Sequence, residues 1–454
     1  MNLFGTDGIR GVANADLTWH IAYRLGRAMG TYLSPGADLC IGRDTRISCD
    51  MLEAALVAGL TSAGRNVVRL GVITTPGLSY LVKALNLGGG VMISASHNPA
   101  EYNGLKVFGS DGKKISDEVE SLFSDFILAE DDAGPFPCGP SIGRVVPGEA
   151  ALLRYMRFLQ GVPTASMRGL RVVIDTANGS TSAIAPKVWA DLGAQVVVIN
   201  NTPDGCNINK DCGSTHLEAL IEKVRESAAG GSSSKFHAGF AYDGDGDRCL
   251  VLDEKGNVLD GDHIMAILAL DMKERGHLAK STVVGTVMSN FGLERCLRDH
   301  NISLERTPVG DRFVLEKMEA GGFKLGGEQS GHIIVRDALW AGDGILTSLL
   351  VADVMVRSGK SLSELGSVME SIPQTLVNVR AYDPKALAKS EVVTRAVSKA
   401  QSDLGGRGRV LVRPSGTEPL VRIMVESEDS HLVTSCIEYL EEVIKKENDA
   451  VKER

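Results

Sequence analysis

Leu39-Cys40-Ile41-Gly42-Arg43-Asp44 is an apolar stretch that runs into a polar turn, and the segments after it decide the fold. A helical pattern from Met51 to Ala63 comes next, then a second apolar stretch from Asn66 to Leu70, and Thr75-Pro76 closes the unit. A short strand, a helix and another strand in that order imply a crossover connection and parallel pairing. The layout recurs. Its second copy begins at Val172-Val173-Ile174-Asp175, continues through Thr181 to Leu192 and Val196-Val197-Val198-Ile199, and ends at Thr202-Pro203. The third begins at Val283-Val284-Gly285-Thr286, turns helical from Leu293 to Asp299, and ends at Thr307-Pro308. Three copies predict three related α/β domains in tandem, with mixed, mostly parallel sheets. An amphipathic helix from Thr18 to Tyr32, with Ile21, Leu25 and Met29 at helical spacing, precedes the first copy.

The pattern changes after Ser371-Ile372-Pro373-Gln374. Helix from Ala381 to Leu404, strands at Arg409–Val412 and Val421–Val425, and helix from His431 to Lys446 predict a separate C-terminal α+β domain. The expected division is 1–150, 151–256, 257–370 and 371–454. Ala129 to Pro147, rich in Asp, Gly and Pro, reads as an irregular connection, and Ala229-Gly230-Gly231-Ser232-Ser233-Ser234 as a flexible surface loop.

A chain of 454 residues is too long for one hydrophobic core. The net charge of -9 argues against a broad basic face for nucleic acid, although a small anion needs only a few local arginines. No apolar run approaches the roughly 20 residues that span a bilayer. The N-terminus lacks the basic and apolar segments of a signal peptide, and the eight cysteines are scattered without metal-ribbon spacing. These features predict reduced thiols and a cytoplasmic protein that binds neither membrane nor nucleic acid.

Four stretches carry chemistry. Met92-Ile93-Ser94-Ala95-Ser96-His97-Asn98-Pro99 places serines and a histidine on a loop, because Pro99 bars Asn98 from helical geometry. Backbone N–H groups around such a serine suit a phosphate, with His97 and Lys106 as cation, acid or base beside it. Asp243-Gly244-Asp245-Gly246-Asp247-Arg248 follows an apolar strand, and its alternate carboxylates converge on one hard cation, Mg²⁺ above all. An EF-hand loop competes, with Glu254 near its bidentate position, but it needs Gly where Arg248 stands and helices on both sides. Gly326-Gly327-Glu328-Gln329-Ser330-Gly331-His332 is a glycine-framed polar loop where Glu328 and Ser330 suit sugar hydroxyls and His332 a proton. Thr307, Gly310 and Asp311 belong to a similar loop before it. Arg413-Pro414-Ser415-Gly416-Thr417-Glu418-Pro419 joins two strands as a phosphate clamp, with Arg422 as a second cation. An ordinary Pro-Ser-Gly hairpin turn would read the same way. At the start, Arg10 lies in Phe4-Gly5-Thr6-Asp7-Gly8-Ile9-Arg10-Gly11, on a loop able to grip a phosphate.

Taken together, these stretches resemble the α-D-phosphohexomutase superfamily over essentially the whole chain, in the expected order. Within it the chain looks most like the bacterial branch that acts on glucosamine phosphates. The opening motif, Pro203-Asp204-Gly205-Cys206-Asn207-Ile208-Asn209 with Cys212-Gly213-Ser214-Thr215-His216, and Gln329 carry that closer likeness. The resemblance implies a phosphoserine at Ser96 and Mg²⁺ held by Asp243, Asp245, Asp247 and the Ser96 group. It implies a sugar held by Glu328 and Ser330, and its phosphate by Arg413, Ser415, Gly416 and Thr417. Lys106 and His332 become the acid and base candidates, supported by Arg10, His97 and Arg248. The four domains become those of the phosphoserine, the metal, the sugar and the phosphate. A sugar 1,6-bisphosphate is the expected activator, an amino sugar phosphate the substrate, and a homodimer through the first domain the expected assembly. A glucose or mannose phosphomutase is the nearest alternative, and a metal-dependent sugar phosphatase a more distant one.

Overall fold

The structure is a computed structural model and describes residues 3–5, 7–131, 134, 136–229, 235–415 and 419–452. Among these residues four sheets form. The first contains β1 (Ile9–Val12), β2 (Leu39–Arg43), β3 (Val67–Val72), β4 (Gly89–Ile93), β5 (Tyr102–Gly109) and β6 (Val145–Pro147), in the order β1-β5-β4-β2-β3-β6. The second contains β7 (Arg171–Asp175), β8 (Gln195–Ile199), β9 (Ala238–Tyr242), β10 (Cys249–Leu252) and β11 (Val258–Leu259), in the order β11-β10-β9-β7-β8. The third contains β12 (Thr282–Thr286), β13 (Ser303–Thr307), β14 (Leu325–Gly327) and β15 (Ile333–Val335), in the order β13-β12-β14-β15.

One unit repeats in all three. Its first strand pairs in parallel with the second on one side and the third on the other, as β2 does with β3 and β4, β7 with β8 and β9, and β12 with β13 and β14. A fourth strand then returns antiparallel to the third: β5 beside β4, β10 beside β9, β15 beside β14. The parallel strands are apolar on both faces because helices cover both. β4, β9 and β12 are buried at every position.

The C-terminal sheet is different in kind. β16 (Gln374–Arg380), β17 (Gly408–Pro414) and β18 (Leu420–Ser427) are antiparallel, with β18 in the centre. It packs on the helices Glu391–Asp403 and Ser430–Lys452. Its core of Val379, Leu387, Val393, Ile423 and Leu440 is its own, whereas one apolar cluster runs from Cys40 and Leu78 through Trp189 and Phe240 to Leu268 and Leu349. The first three domains therefore share buried surface. The fourth meets the third through polar contacts, in which the Asn290 amide donates to Glu426 Oε1 at 3.3 Å and Arg409 donates to Ser289 O at 3.1 Å.

Some elements differ from the reading of the sequence. Ala129 to Pro147 is not wholly irregular, since β6 pairs in parallel with β3; its three exposed residues are too few to show alternation. Thr75-Pro76 opens a helix, Thr75–Ala84, rather than closing a unit: Thr74 accepts from Gly77 N at 3.1 Å and Pro76 occupies the first turn. The helix expected from Ala381 to Leu404 is two, Pro384–Ala388 and Glu391–Asp403, because Ser390 caps the second through Val393 N. The Gly230 to Ser234 stretch lies outside the described residues.

Candidate active site

The three chemical loops hang from the same place in each repeat, the turn from the third strand into the antiparallel fourth. Ser96 and His97 lie between β4 and β5, Asp243 to Arg248 between β9 and β10, and Glu328 to His332 between β14 and β15. These turns are at the carboxyl ends of parallel strands, where open α/β sheets bind ligands. Strands on both sides of the carboxylate turn exclude the EF-hand reading, and Glu254 turns away to accept from Ser363 Oγ at 2.5 Å.

Ser96 is buried and adopts φ +52, a left-handed conformation uncommon for a residue with a side chain. The turn is held from beneath. Ser96 N donates to Ser94 Oγ at 3.0 Å, Ser94 Oγ to Asp44 Oδ2 at 2.6 Å, and the Arg46 Nε to the same Asp44 oxygen at 2.9 Å. The result points the Ser96 hydroxyl at Asp243, donating to Oδ2 at 2.7 Å, with His97 Nδ1 at 3.3 Å. Burial and the nearby Arg248 and Arg10 lower the His97 pKa to about 4, so its imidazole is neutral.

The carboxylates fit a hard cation. Asp243, Asp245 and Asp247 are buried and each offers an oxygen within 4.8 Å of the others. Asp245 Oδ1 and Asp247 Oδ1 are buried without a hydrogen-bond partner. Burial and the charges of Asp247 and Asp245 push Asp243 well above the usual carboxylate range, a penalty that a divalent cation removes. An all-oxygen set of this kind suits Mg²⁺.

Asp245 leads into an ion-pair chain. Its Oδ2 accepts from Thr75 Oγ1 at 2.5 Å and Lys106 Nζ at 2.8 Å. Lys106 also lies 2.9 Å from Asp7 Oδ2, Asp7 Oδ1 accepts from Lys114 Nζ at 2.6 Å, and Lys114 reaches Asp311 Oδ2 at 2.8 Å. Arg10 pairs with Asp7 as well. Burial works against the Lys106 charge, but Asp245 and Asp7 outweigh it and raise its pKa, so the ammonium is held charged. His332 sits beyond the far end, Nδ1 3.5 Å from Asp247 and Nε2 accepting from Gly342 N at 3.1 Å. Burial opposes its charge, yet Asp247 and Asp311 raise its pKa.

A cleft of about 960 Å³ opens on this network. Of the expected residues, Arg10, Ser96, His97, Asp247, Arg248, Gly310, Asp311, Glu328 and His332 line it. Gly310 N donates to Glu328 Oε1 at 3.0 Å, joining the two polar loops of the third domain. Thr307 does not line it; its hydroxyl lies 2.9 Å from Pro308 O. Ser330 does not line it either, and its Oγ is buried without a hydrogen-bond partner. Arg413, Ser415 and Arg422 stand apart on the C-terminal sheet, where Arg413 and Arg422 face each other across the β17–β18 register. Burial and the neighbouring Arg422 together lower the Arg413 pKa. Gly416 and Thr417 lie outside the described residues. Sequence reasoning misses Asp7, Arg46, Thr75 and Lys114. Asp7 and Thr75 stand inside conspicuous Gly- and Pro-marked motifs, but their partners are distant in the chain; Lys114, in a charged turn after β5, gives no signal.

The sequence matches four domain profiles in chain order. These are "Phosphoglucomutase/phosphomannomutase, alpha/beta/alpha domain I" over residues 1–133, domain II over 154–256, domain III over 260–372 and the C-terminal domain over 376–443. It is 52% identical over 436 residues to a protein of Caldicellulosiruptor saccharolyticus named phosphoglucosamine mutase, covering 94% of this chain and 95% of that one. It is 50% identical over 452 residues to a protein of that name from Caldicellulosiruptor bescii, covering 98% of each. Among solved structures, a phosphoglucomutase/phosphomannomutase family protein from Burkholderia thailandensis shares the fold with a TM-score of 0.80 at 23% identity, over 98% of this chain and 97% of that one. An N-acetylphosphoglucosamine mutase from Aspergillus fumigatus, in complex with GlcNAc-6P and magnesium, does so with a TM-score of 0.69 at 18% identity, over 98% and 96%. The chain belongs to the phosphoglucomutase/phosphomannomutase family.

Proposed function

We propose that this protein interconverts glucosamine 6-phosphate and glucosamine 1-phosphate through a phosphoserine at Ser96 and a sugar 1,6-bisphosphate, feeding UDP-N-acetylglucosamine synthesis. The observation that carries the reading is the Ser96 hydroxyl, 2.7 Å from Asp243 at a buried carboxylate triad that opens on the cleft. The amino sugar follows from relatives about half identical over nearly the full chain, which bear the name phosphoglucosamine mutase.

In this reading the phosphate on Ser96 faces the free hydroxyl of a bound sugar phosphate. The Ser96 Oγ–P bond breaks, a sugar O–P bond forms, the sugar hydroxyl loses its proton and the serine oxygen gains one. The bisphosphate turns over in the cleft, and its other phosphate returns to Ser96 by the reverse step. Mg²⁺, held by Asp243, Asp245, Asp247 and the Ser96 group, supplies charge neutralisation at the transferring oxygens. Lys106, held charged, has a proton to give. His332, on the cleft wall beside Asp247, takes the proton of the sugar hydroxyl, and the two groups exchange roles in the reverse step. Arg10, His97 and Arg248 add polar and cationic support at the cleft wall, and Glu328 and Asp311 face the sugar. Arg413 and Ser415, with Gly416 and Thr417, bind the phosphate that does not react. Because the described clamp residues stand outside the cleft, the C-terminal domain closes over it during turnover.

Isomerisation of glucosamine 6-phosphate, with Mg²⁺ and catalytic sugar bisphosphate, tests the reading in wild type and Ser96→Ala. Turnover that collapses in the variant supports it, and turnover that survives refutes the phosphoserine. Glucose 6-phosphate runs in parallel; if it turns over faster, the chemistry stands and the amino sugar does not.

A further inference from the structure

The stretch from Pro203 to Cys212 has no assigned part in the transfer chemistry, yet it reaches across to the serine turn. It leaves the second sheet after β8 and touches the first domain twice. Gly205 O accepts from Ile47 N at 2.9 Å. Asn209 is buried, has φ +59, and is fixed to its own domain by a bond from its N–H to Ala177 O at 2.9 Å. Its side-chain amide donates to Ser96 O at 2.8 Å and Asn98 O at 3.1 Å.

Arg46 approaches the same carbonyls from within the first domain. Its guanidinium is fully buried and donates to Ser96 O at 3.1 Å, to Asn98 O at 2.8 Å and to Pro99 O. Two carbonyls of one turn are thus each bound twice, from two domains. A left-handed serine is strained and persists where its surroundings over-determine it. We propose that Asn209 is a positioning residue for phosphoryl transfer: by gripping Ser96 O and Asn98 O from the second domain, it holds the Ser96 hydroxyl in register with Asp243 of that same domain. Asn209 and Asp243 stand on one sheet's loops, so the residue that grips the phosphate carrier moves with the carboxylates it must face. The inference rests on Ser96 as the phosphate carrier.

The test uses full-length Asn209→Ala and Asn209→Asp. Asp keeps the shape and tolerates positive φ, but it sets a carboxylate against two carbonyl oxygens. Three measurements are made on each: the single-turnover rate at which sugar bisphosphate labels Ser96, the steady-state kcat and KM for glucosamine 6-phosphate, and Mg²⁺ affinity by calorimetry. Melting profiles show whether the variants are folded. The expected result is a labelling rate and kcat lowered about 100-fold, the effect of a misplacement near 1 Å, in folded protein. KM and the Mg²⁺ affinity of dephosphorylated Asn209→Ala stay within about twofold of wild type, because neither the substrate nor the three carboxylates touch the amide. A labelling rate within about threefold of wild type in either variant overturns the inference, as does a fall that appears wholly in KM or in the folded fraction. Wild type that never carries label on Ser96 overturns the proposed function, and this inference with it.

Discussion

Gly244 lies between two of the metal-site carboxylates, and replacing it with alanine tests the contact between the serine turn and the carboxylate turn. Its φ is not in the left-handed region, so the alanine backbone is allowed and only space decides. A Cβ there would stand 2.5 Å from Ser96 O, 2.8 Å from Asn209 Nδ2 and 2.9 Å from Ile208 Cδ1. Ordinary contact begins at 3.4 Å, so the Ser96 carbonyl would have to retreat by about 0.9 Å, and being backbone it takes its residue with it. The Ser96 hydroxyl would move away from Asp243 on that scale. Misplacement near 1 Å costs about 100-fold in rate, which is about 2.7 kcal/mol of barrier. Overpacking costs roughly 1–3 kcal/mol of stability, small enough for a folded variant. Gly161→Ala is the control, since its Cβ would meet Phe158 O at 3.4 Å and nothing closer. Steady-state isomerisation is the assay. Gly244→Ala should lose about two orders of magnitude in kcat, and Gly161→Ala none. A Gly244→Ala enzyme within about threefold of wild type would show that the contact does not set the distance on which transfer depends.

The metal site should be pH-sensitive in a defined direction. Because burial and its neighbours raise Asp243 above its ordinary 3.8, its contribution to the metal-free fold is complete below that pH and is lost as pH rises through the folded value. Mg²⁺ binds the ionised carboxylate, so the gain in melting temperature on adding Mg²⁺ should grow as pH rises; a gain that shrinks as pH rises would contradict the assignment. In the proposed clamp, Arg413→Gln would remove a charge-assisted hydrogen bond to phosphate worth about 1.5–3 kcal/mol, so KM for the sugar phosphate should rise roughly 10- to 100-fold. Mg²⁺ affinity should be unchanged, and an unaltered KM would place the clamp elsewhere. Lys114→Met removes the cation between Asp7 and Asp311, with its side chain 24% exposed. The loss should fall between the roughly 1 kcal/mol ceiling of surface pairs and the roughly 3 kcal/mol floor of buried ones. A lower urea midpoint is expected, and an unshifted one would mean the chain of ion pairs adds nothing to stability.

Periodicity is enough to show the repeat, because strands buried on both faces, such as β4, β9 and β12, carry no charged residue. The fourth, antiparallel strand of each unit is harder to see, since β10 and β15 are short and come after glycine-rich turns. The site is legible where the chemistry is local. Asp243, Asp245 and Asp247 announce a cation by spacing alone, and Ser96 is marked by Pro99. It is not legible where partners come from distant loops: Asp7 with Lys114, Thr75 with Asp245, and Asn209 with Ser96 are separated by 107, 170 and 113 positions. No local pattern records such a pairing, because each side chain by itself looks like an ordinary turn residue.

The placement of the three chemical loops at one position of one repeated unit has a mechanical consequence. Each loop is anchored at both ends in neighbouring strands of the same sheet, so it has little freedom to drift alone. Distances between Ser96, the three carboxylates and the Glu328 loop are instead set at the seams where whole sheets meet. A substitution at such a seam, far from any reacting atom, would tilt an entire block and retune the reaction without altering a single side chain in the cleft. The places from which this enzyme is most readily adjusted are its joints.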